Sequence, residues 1–151
     1  MPKIISIILI LFSFVRTEER TGCIEGNCYN GIGKYRYSNG DIYEGGFREK
    51  KKNGYGKYSF SNGDKFEGEY LNGIKHGKGI YEYGDGRLFE GSYVNGKREG
   101  EGKFTSPNGL KYEGNYENGK ESGQGKTTLS NGDKYSGQFL NGKFHGKGIC
   151  T

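Results

Sequence analysis

Tryptophan is absent from the 151-residue chain, methionine occurs once, proline twice, and only 30% of residues are hydrophobic. So sparse an apolar supply excludes a thick core packed between two layers. It leaves either a disordered chain or a thin, repetitive β structure whose aromatics cover a single sheet. Charge of one sign is also scarce: 23 Lys+Arg stand against 18 Asp+Glu, a net of +5. That is not a nucleic-acid-binding charge, and the near-balance, with 13 Tyr and 9 Phe, argues against disorder. No apolar run reaches the ~20 residues that a membrane-spanning helix needs. Three cysteines and two histidines do not make the four-ligand spacing of a structural zinc site.

The longest apolar run covers residues 4–15, behind Met1-Pro2-Lys3 and ahead of the polar RTEER. A basic start followed by a 12-residue stretch, apolar but for Ser6 and Ser13, fits a signal-peptide helix within residues 1–22. No Ala-x-Ala follows Val15, so an uncleaved short anchor is the alternative. A lipoprotein signal through Cys23 is disfavoured by Arg20, which stands where leucine is wanted. The chain is therefore expected to be exported (secreted, periplasmic or cell-surface) or held to a membrane by this segment. Loss of residues 1–22 would lower the net charge to +4. Cys23 and Cys28 are near enough in sequence to close a short disulfide loop, or stand as free thiols, while Cys150 has no obvious mate.

Glycine is what the chain has in excess, 30 residues against an ordinary usage of about 7%. Gly-x-Gly pairs begin at Gly31, Gly54, Gly77, Gly100, Gly123 and Gly146, each step being 23 residues. The same step links Tyr43, Phe66, Phe89, Tyr112 and Tyr135, and again Phe47, Tyr70, Tyr93, Tyr116 and Phe139. In FEGEY, period-2 alternation puts Phe66, Gly68 and Tyr70 on one face and Glu67 and Glu69 on the other. A second strand, GKGIYEY, follows a loop such as NGIKHG. Asn39-Gly40, Asn62-Gly63, Asp85-Gly86, Asn108-Gly109 and Asn131-Gly132 are expected as type I′ turns between units. The expectation is an all-β, elongated, single-layer antiparallel meander of hairpin repeats. Its glycines bare the backbone so that rings can lie on it. On the polar face Glu44, Glu67, Glu90 and Glu113 are expected opposite Lys57, Lys103 and Lys126.

The segments FEGEYLNGIKHGKGIYEYGDG, FEGSYVNGKREGEGKF and YEGNYENGKESGQGK resemble MORN (membrane occupation and recognition nexus) repeats. The resemblance divides the chain into a signal or anchor (1–22), a cysteine-containing cap with a half repeat (23–42) and five units (43–65, 66–88, 89–111, 112–134 and a shortened 135–151). It implies an elongated, twisted single-layer sheet acting as a scaffold or membrane-associated organiser. Some such arrays accompany lipid kinase or methyltransferase domains, but the repeat accounts for every residue from 31 onward. In the first unit Glu49-Lys50 replaces Asn-Gly, so a different loop is expected there.

Candidate chemistry is thin. Residues 118–128, NGKESGQGKTT, echo a phosphate-binding loop, yet Lys120 stands where the first glycine must be and no helix follows. His76 and His145 share a repeat column 69 residues apart and cannot share a metal. No catalytic, cofactor or metal residues are expected. Two functions remain. One is a non-catalytic protein-interaction scaffold, engaging a partner or a second copy through the aromatic face or the C-terminal edge. The other is binding to acidic phospholipid through the loop cations Lys51, Lys52, Lys75, Lys97, Arg98, Lys120 and Lys143.

Overall fold

The computed structural model describes residues 20–151; the N-terminal apolar helix expected from sequence lies outside them. Twelve strands follow one another: β1 (Gly22–Gly26), β2 (Gly31–Arg36), β3 (Ile42–Arg48), β4 (Lys51–Ser59), β5 (Lys65–Leu71), β6 (Ile74–Glu82), β7 (Leu88–Val94), β8 (Lys97–Thr105), β9 (Lys111–Glu117), β10 (Lys120–Thr128), β11 (Lys134–Leu140) and β12 (Lys143–Cys150). They form one antiparallel sheet whose spatial order is the chain order. Every contact is therefore with the preceding or following hairpin. At the N-terminal end Cys23 and Cys28 are joined by a disulfide.

The type I′ turns lie elsewhere than expected. The left-handed pairs that define a type I′ turn lie within units, not between them: Asn72 and Gly73 have φ of 50° and 88°, Asn118 and Gly119 51° and 88°. Between units only the glycine is left-handed, as at Gly63 (φ 93°). There Gly63 N–H donates to the Phe60 carbonyl at 3.1 Å and Phe60 N–H to Asp64 at 2.9 Å, a type I turn closed by a glycine bulge. The reason is the Asn side chain. Asn62 Oδ1 accepts the Asp64 N–H at 3.0 Å, and the residues at 39, 85, 108 and 131 repeat that bond.

In the first unit Glu49 (φ 51°) and Lys50 (φ 63°) take the same two-residue turn without a glycine. Lys50 N–H donates to the Tyr29 carbonyl at 3.0 Å, as Gly73 N–H does to Lys52 at 2.8 Å. The loop is therefore not different, only strained, because a Cβ in the left-handed region costs about 1–2 kcal/mol. Lys50→Gly should stabilise the array by about 1 kcal/mol after the entropy of glycine is set against that relief, measurable by chemical denaturation.

A tight turn leaves more chain in the second strands than the sequence suggests. Gly68 faces Gly79 and Tyr70 faces Lys75, so residues 76–78 bulge past Glu69 alone. The same shift recurs between β3 and β4, β7 and β8, β9 and β10, and β11 and β12. The seven cations expected in loops, and both histidines, therefore lie in strands.

Register places a glycine from every strand in a single row. Gly26, Gly33, Gly45, Gly56, Gly68, Gly79, Gly91, Gly102, Gly114, Gly125, Gly137 and Gly148 are successive Cα partners across the sheet. From Gly45 onward one face of the row is covered by rings. A Cβ built on Gly79 would stand 2.5 Å from Phe66 Cζ, and one on Gly125 2.7 Å from Tyr112 Cε2. Each ring is held edge-to-face by the next: Tyr43–Tyr70, Tyr70–Phe66, Phe66–Tyr93, Tyr93–Phe89, Phe89–Tyr116, Tyr116–Tyr112 and Tyr112–Phe139 have centroids 5.0–5.5 Å apart. Such pairs contribute about 0.5–1.5 kcal/mol beyond the area they bury. This chain of rings is the core.

Candidate interaction surfaces

The ten aromatics expected to form the core or an interaction face, Tyr43, Phe47, Phe66, Tyr70, Phe89, Tyr93, Tyr112, Tyr116, Tyr135 and Phe139, are all 7% exposed or less. A single layer buries them because the glycine row lets each ring lie flat and the next ring cap it. They are core and present no exposed stripe, which corrects the expectation of a large apolar patch there.

Three of the seven expected contact cations are also taken up by this face. Lys52 Nζ sits 4.3 Å from the Tyr58 ring centroid and 4.9 Å from that of Tyr70. Lys75 Nζ lies 4.2 Å from Tyr81 and 4.6 Å from Phe66, and the Arg98 guanidinium 4.1 Å from Phe89. Ring faces attract cations, so these side chains act as lids on the aromatic row. In the same column Glu121 and Phe144 replace them, and Phe144 stacks on Tyr135 at 4.1 Å. Lys51, Lys97, Lys120 and Lys143 remain exposed.

Burial pushes the Lys75 ammonium down to about 8, with Lys52 and Arg98 adding repulsion and Asp64 opposing. The folded-state value lies below the unfolded one near 10.4. The unfolded chain thus binds more protons between those limits, and Lys75 adds stability as pH rises from about 8 to 10. Lys75→Met should remove that rise, read as denaturation midpoints at pH 7 and pH 9.5.

A second device on this face pairs a carboxylate with a tyrosyl hydroxyl. Asp41, buried at 6% exposure, accepts from Tyr58 Oη at 2.8 Å, Ser61 N–H at 2.8 Å and Asn39 Nδ2 at 2.9 Å. Burial opposes its charge, but these bonds outweigh burial and hold the carboxyl below its usual range. Asp64 repeats the arrangement with Tyr81 Oη at 2.7 Å and Gly84 N–H at 2.8 Å. The signal was present as two columns, 41/64 and 58/81, a fixed 17 residues apart.

The opposite face is polar and grooved. Lys57–Glu67, Lys103–Glu113 and Lys34–Glu44 pair across strands at 3.1, 3.5 and 3.3 Å. These side chains are one-third to two-thirds exposed, so each pair contributes about 0–1 kcal/mol. In the same ladder Ile80 stands opposite Glu90 and Lys126 opposite Ser136, so neither carries the usual pair on that side. Between them runs a groove of about 850 Å³, floored by the backbone of Gly68, Gly79, Gly91, Gly102, Gly114 and Gly125 and walled by Tyr55, Ile80, Glu90, Glu101 and Lys126. Tyr55 is 58% exposed, and its hydroxyl donates to Glu67 Oε1 at 2.6 Å.

The family model for the MORN repeat matches residues 26–42, 43–65, 66–86, 89–111, 112–134 and 135–151. The chain belongs to the MORN-repeat family. No curated protein matches it. Each of the five MORN units that start at an aromatic is one hairpin of this sheet, and the segment 26–42 supplies the strand before them. The residues 118–128 are the turn and β10 of the fourth MORN unit, and their Gly125 lies beneath the Tyr112 ring, not beside a phosphate. His76 and His145 sit at the bulges of β6 and β12, and no group of metal ligands occurs among the described residues. No helix among them is long and apolar enough to cross a membrane.

Proposed function

We propose that this MORN array is a non-catalytic interaction module whose recognition surface is the grooved polar face. The observation that carries the reading is the division of labour between faces. The aromatics and three of the cations are consumed in holding the sheet together, whereas the groove presents a bare glycine floor, ion-paired walls and the exposed Tyr55 and Ile80. Such a surface suits a protein segment with both apolar and charged side chains. The edge of β12, which pairs with β11 alone among the described residues, is a further place for a partner strand or a second copy. The N-terminal apolar segment supports an exported or membrane-anchored location.

A photoactivatable residue at position 80, in cells making the full chain, should give a discrete protein adduct that Glu90→Lys abolishes. Adducts of equal yield from positions 80 and 144, or none from position 80, would contradict the reading.

The second reading is attachment to acidic phospholipid through Lys51, Lys97, Lys120 and Lys143, favoured by their recurrence in one exposed column. Each basic side chain near an anionic surface contributes about 1 kcal/mol. Salt-sensitive binding to phosphatidylserine vesicles, absent with phosphatidylcholine and lost in the four-fold Lys→Glu variant, would support it. Vesicle binding indifferent to salt and to these lysines would sink it.

A further inference from the structure

In two units a carboxylate, buried at Asp41 and half-buried at Asp64, forms a matched set with a tyrosyl hydroxyl. Asp41 takes Tyr58 and Asp64 takes Tyr81, 17 residues on in each case. Where the hydroxyl-bearing ring is gone, the carboxylate is gone too: Arg87 goes with Phe104, and Leu110 with Thr127. The fifth unit departs from this pairing. Asp133 is kept, and the residue 17 places later is Cys150. Like Asp41, Asp133 accepts an amide from the Asn two residues before it, Asn131 Nδ2 at 2.7 Å. Among the described residues no tyrosyl hydroxyl donates to it.

A recess of about 330 Å³ lies at this place, lined by Leu129, Asp133, Tyr135, Phe144 and Cys150. Leu129, Tyr135 and Phe144 occupy the repeat positions of Phe60, Phe66 and Lys75. Those are groups that surround the Tyr81 ring, with centroids at 5.8 and 6.5 Å and the ammonium at 4.2 Å. The recess is thus the volume in which earlier units pack their own phenol, with Cys150 standing at the position of that tyrosine. The carboxylate that would receive the hydroxyl is still on its wall.

We propose that this recess binds a phenolic ring supplied from outside the chain. The ring lies between Leu129 and the stacked Tyr135–Phe144 pair, and its hydroxyl donates to Asp133. The ligand chemistry is that of a tyrosyl side chain or a free small phenol. The site stands independently of the role assigned to the grooved face.

The test is an amide-shift titration of the full chain with p-cresol, toluene and N-acetyl-tyrosinamide. Saturable shifts at residues 133–135 and 150 are expected with p-cresol, about tenfold tighter than with toluene, the difference one hydrogen bond to a carboxylate makes. Asp133→Asn should remove most of that preference. Cys150→Tyr should abolish binding and raise the unfolding midpoint by filling the recess from within, whereas Cys150→Ser, which leaves it open, should bind like the native chain. Binding of both phenols assigns the recess to tyrosyl side chains, and binding of p-cresol alone assigns it to free phenols. Equal affinity for p-cresol and toluene, shifts confined to other strands, or undiminished binding by Cys150→Tyr would overturn the proposal.

Discussion

Above about pH 10, the ordinary tyrosine value, the sheet is expected to unfold within one to two pH units, with the tyrosinate absorbance of the buried rings and the β signal changing together. Six tyrosines carry the effect: Tyr43, Tyr58, Tyr70, Tyr93, Tyr112 and Tyr116 are each 9% exposed or less. Burial pushes Tyr43, Tyr93 and Tyr112 up to about 12, and raises Tyr58, Tyr70 and Tyr116 further. The hydroxyls of Tyr70, Tyr93 and Tyr116 are sealed under neighbouring rings, where an anion has no water to meet. Folded-state values above the unfolded one mean that the unfolded chain releases these protons first. Their contribution is complete below about pH 10 and is lost as pH rises beyond it. Each withheld ionisation weighs about 1.4 kcal/mol per pH unit, so six together reach roughly 8 kcal/mol per unit, comparable with the whole stability of an ordinary domain. Lys75 acts in the opposite sense between about 8 and 10, so maximum stability should fall near pH 9–10. Ionisation of the six buried tyrosines that precedes any loss of strand signal would contradict this account.

Gly125→Ala should destabilise the array by about 1–3 kcal/mol, although glycine is ordinarily the poorer strand residue by about 0.5–1 kcal/mol. The new methyl would meet Tyr112 at Cε2, Oη and Cζ, at 2.7, 2.7 and 2.9 Å. Tyr112 cannot swing away, because Tyr116 and Phe139 hold its ring from two sides at 5.2 and 5.0 Å. At Gly119 the outcome has a different cause. Nothing lies within 4 Å of a Cβ there, but φ is +88°, so alanine suffers only the backbone penalty of about 1 kcal/mol.

Much of this sheet was legible in the 23-residue step, because the repeat writes each strand's alternation five times and the meander follows from short connections. Turn type was not. Asn62-Gly63 and Asn72-Gly73 are the same dipeptide, and only the bond from Asp64 N–H to Asn62 Oδ1 makes the first a type I turn. The fate of Lys52, Lys75 and Arg98 was equally hidden, since a basic residue beside a turn looks solvated until the bulge at residues 76–78 and its copies bring it over the rings. The groove is hidden in the sequence for a related reason. Its floor is the underside of the glycine row on which the rings lie, and one-letter alternation says nothing about what a residue without a side chain exposes on its other face.

From Gly45 onward, glycine occupies this row because a ring occupies the space above it. A double-mutant cycle on Gly125 and Tyr112, followed by chemical denaturation, tests it most directly. Gly125→Ala alone should cost about 1–3 kcal/mol and Tyr112→Ala about 3–5 kcal/mol. In the Tyr112→Ala background the Gly125→Ala step should become neutral or stabilising, a coupling of at least about 1.5 kcal/mol. Additive losses, with Gly125→Ala equally harmful whether or not the ring is present, would show that the glycine answers to something other than Tyr112.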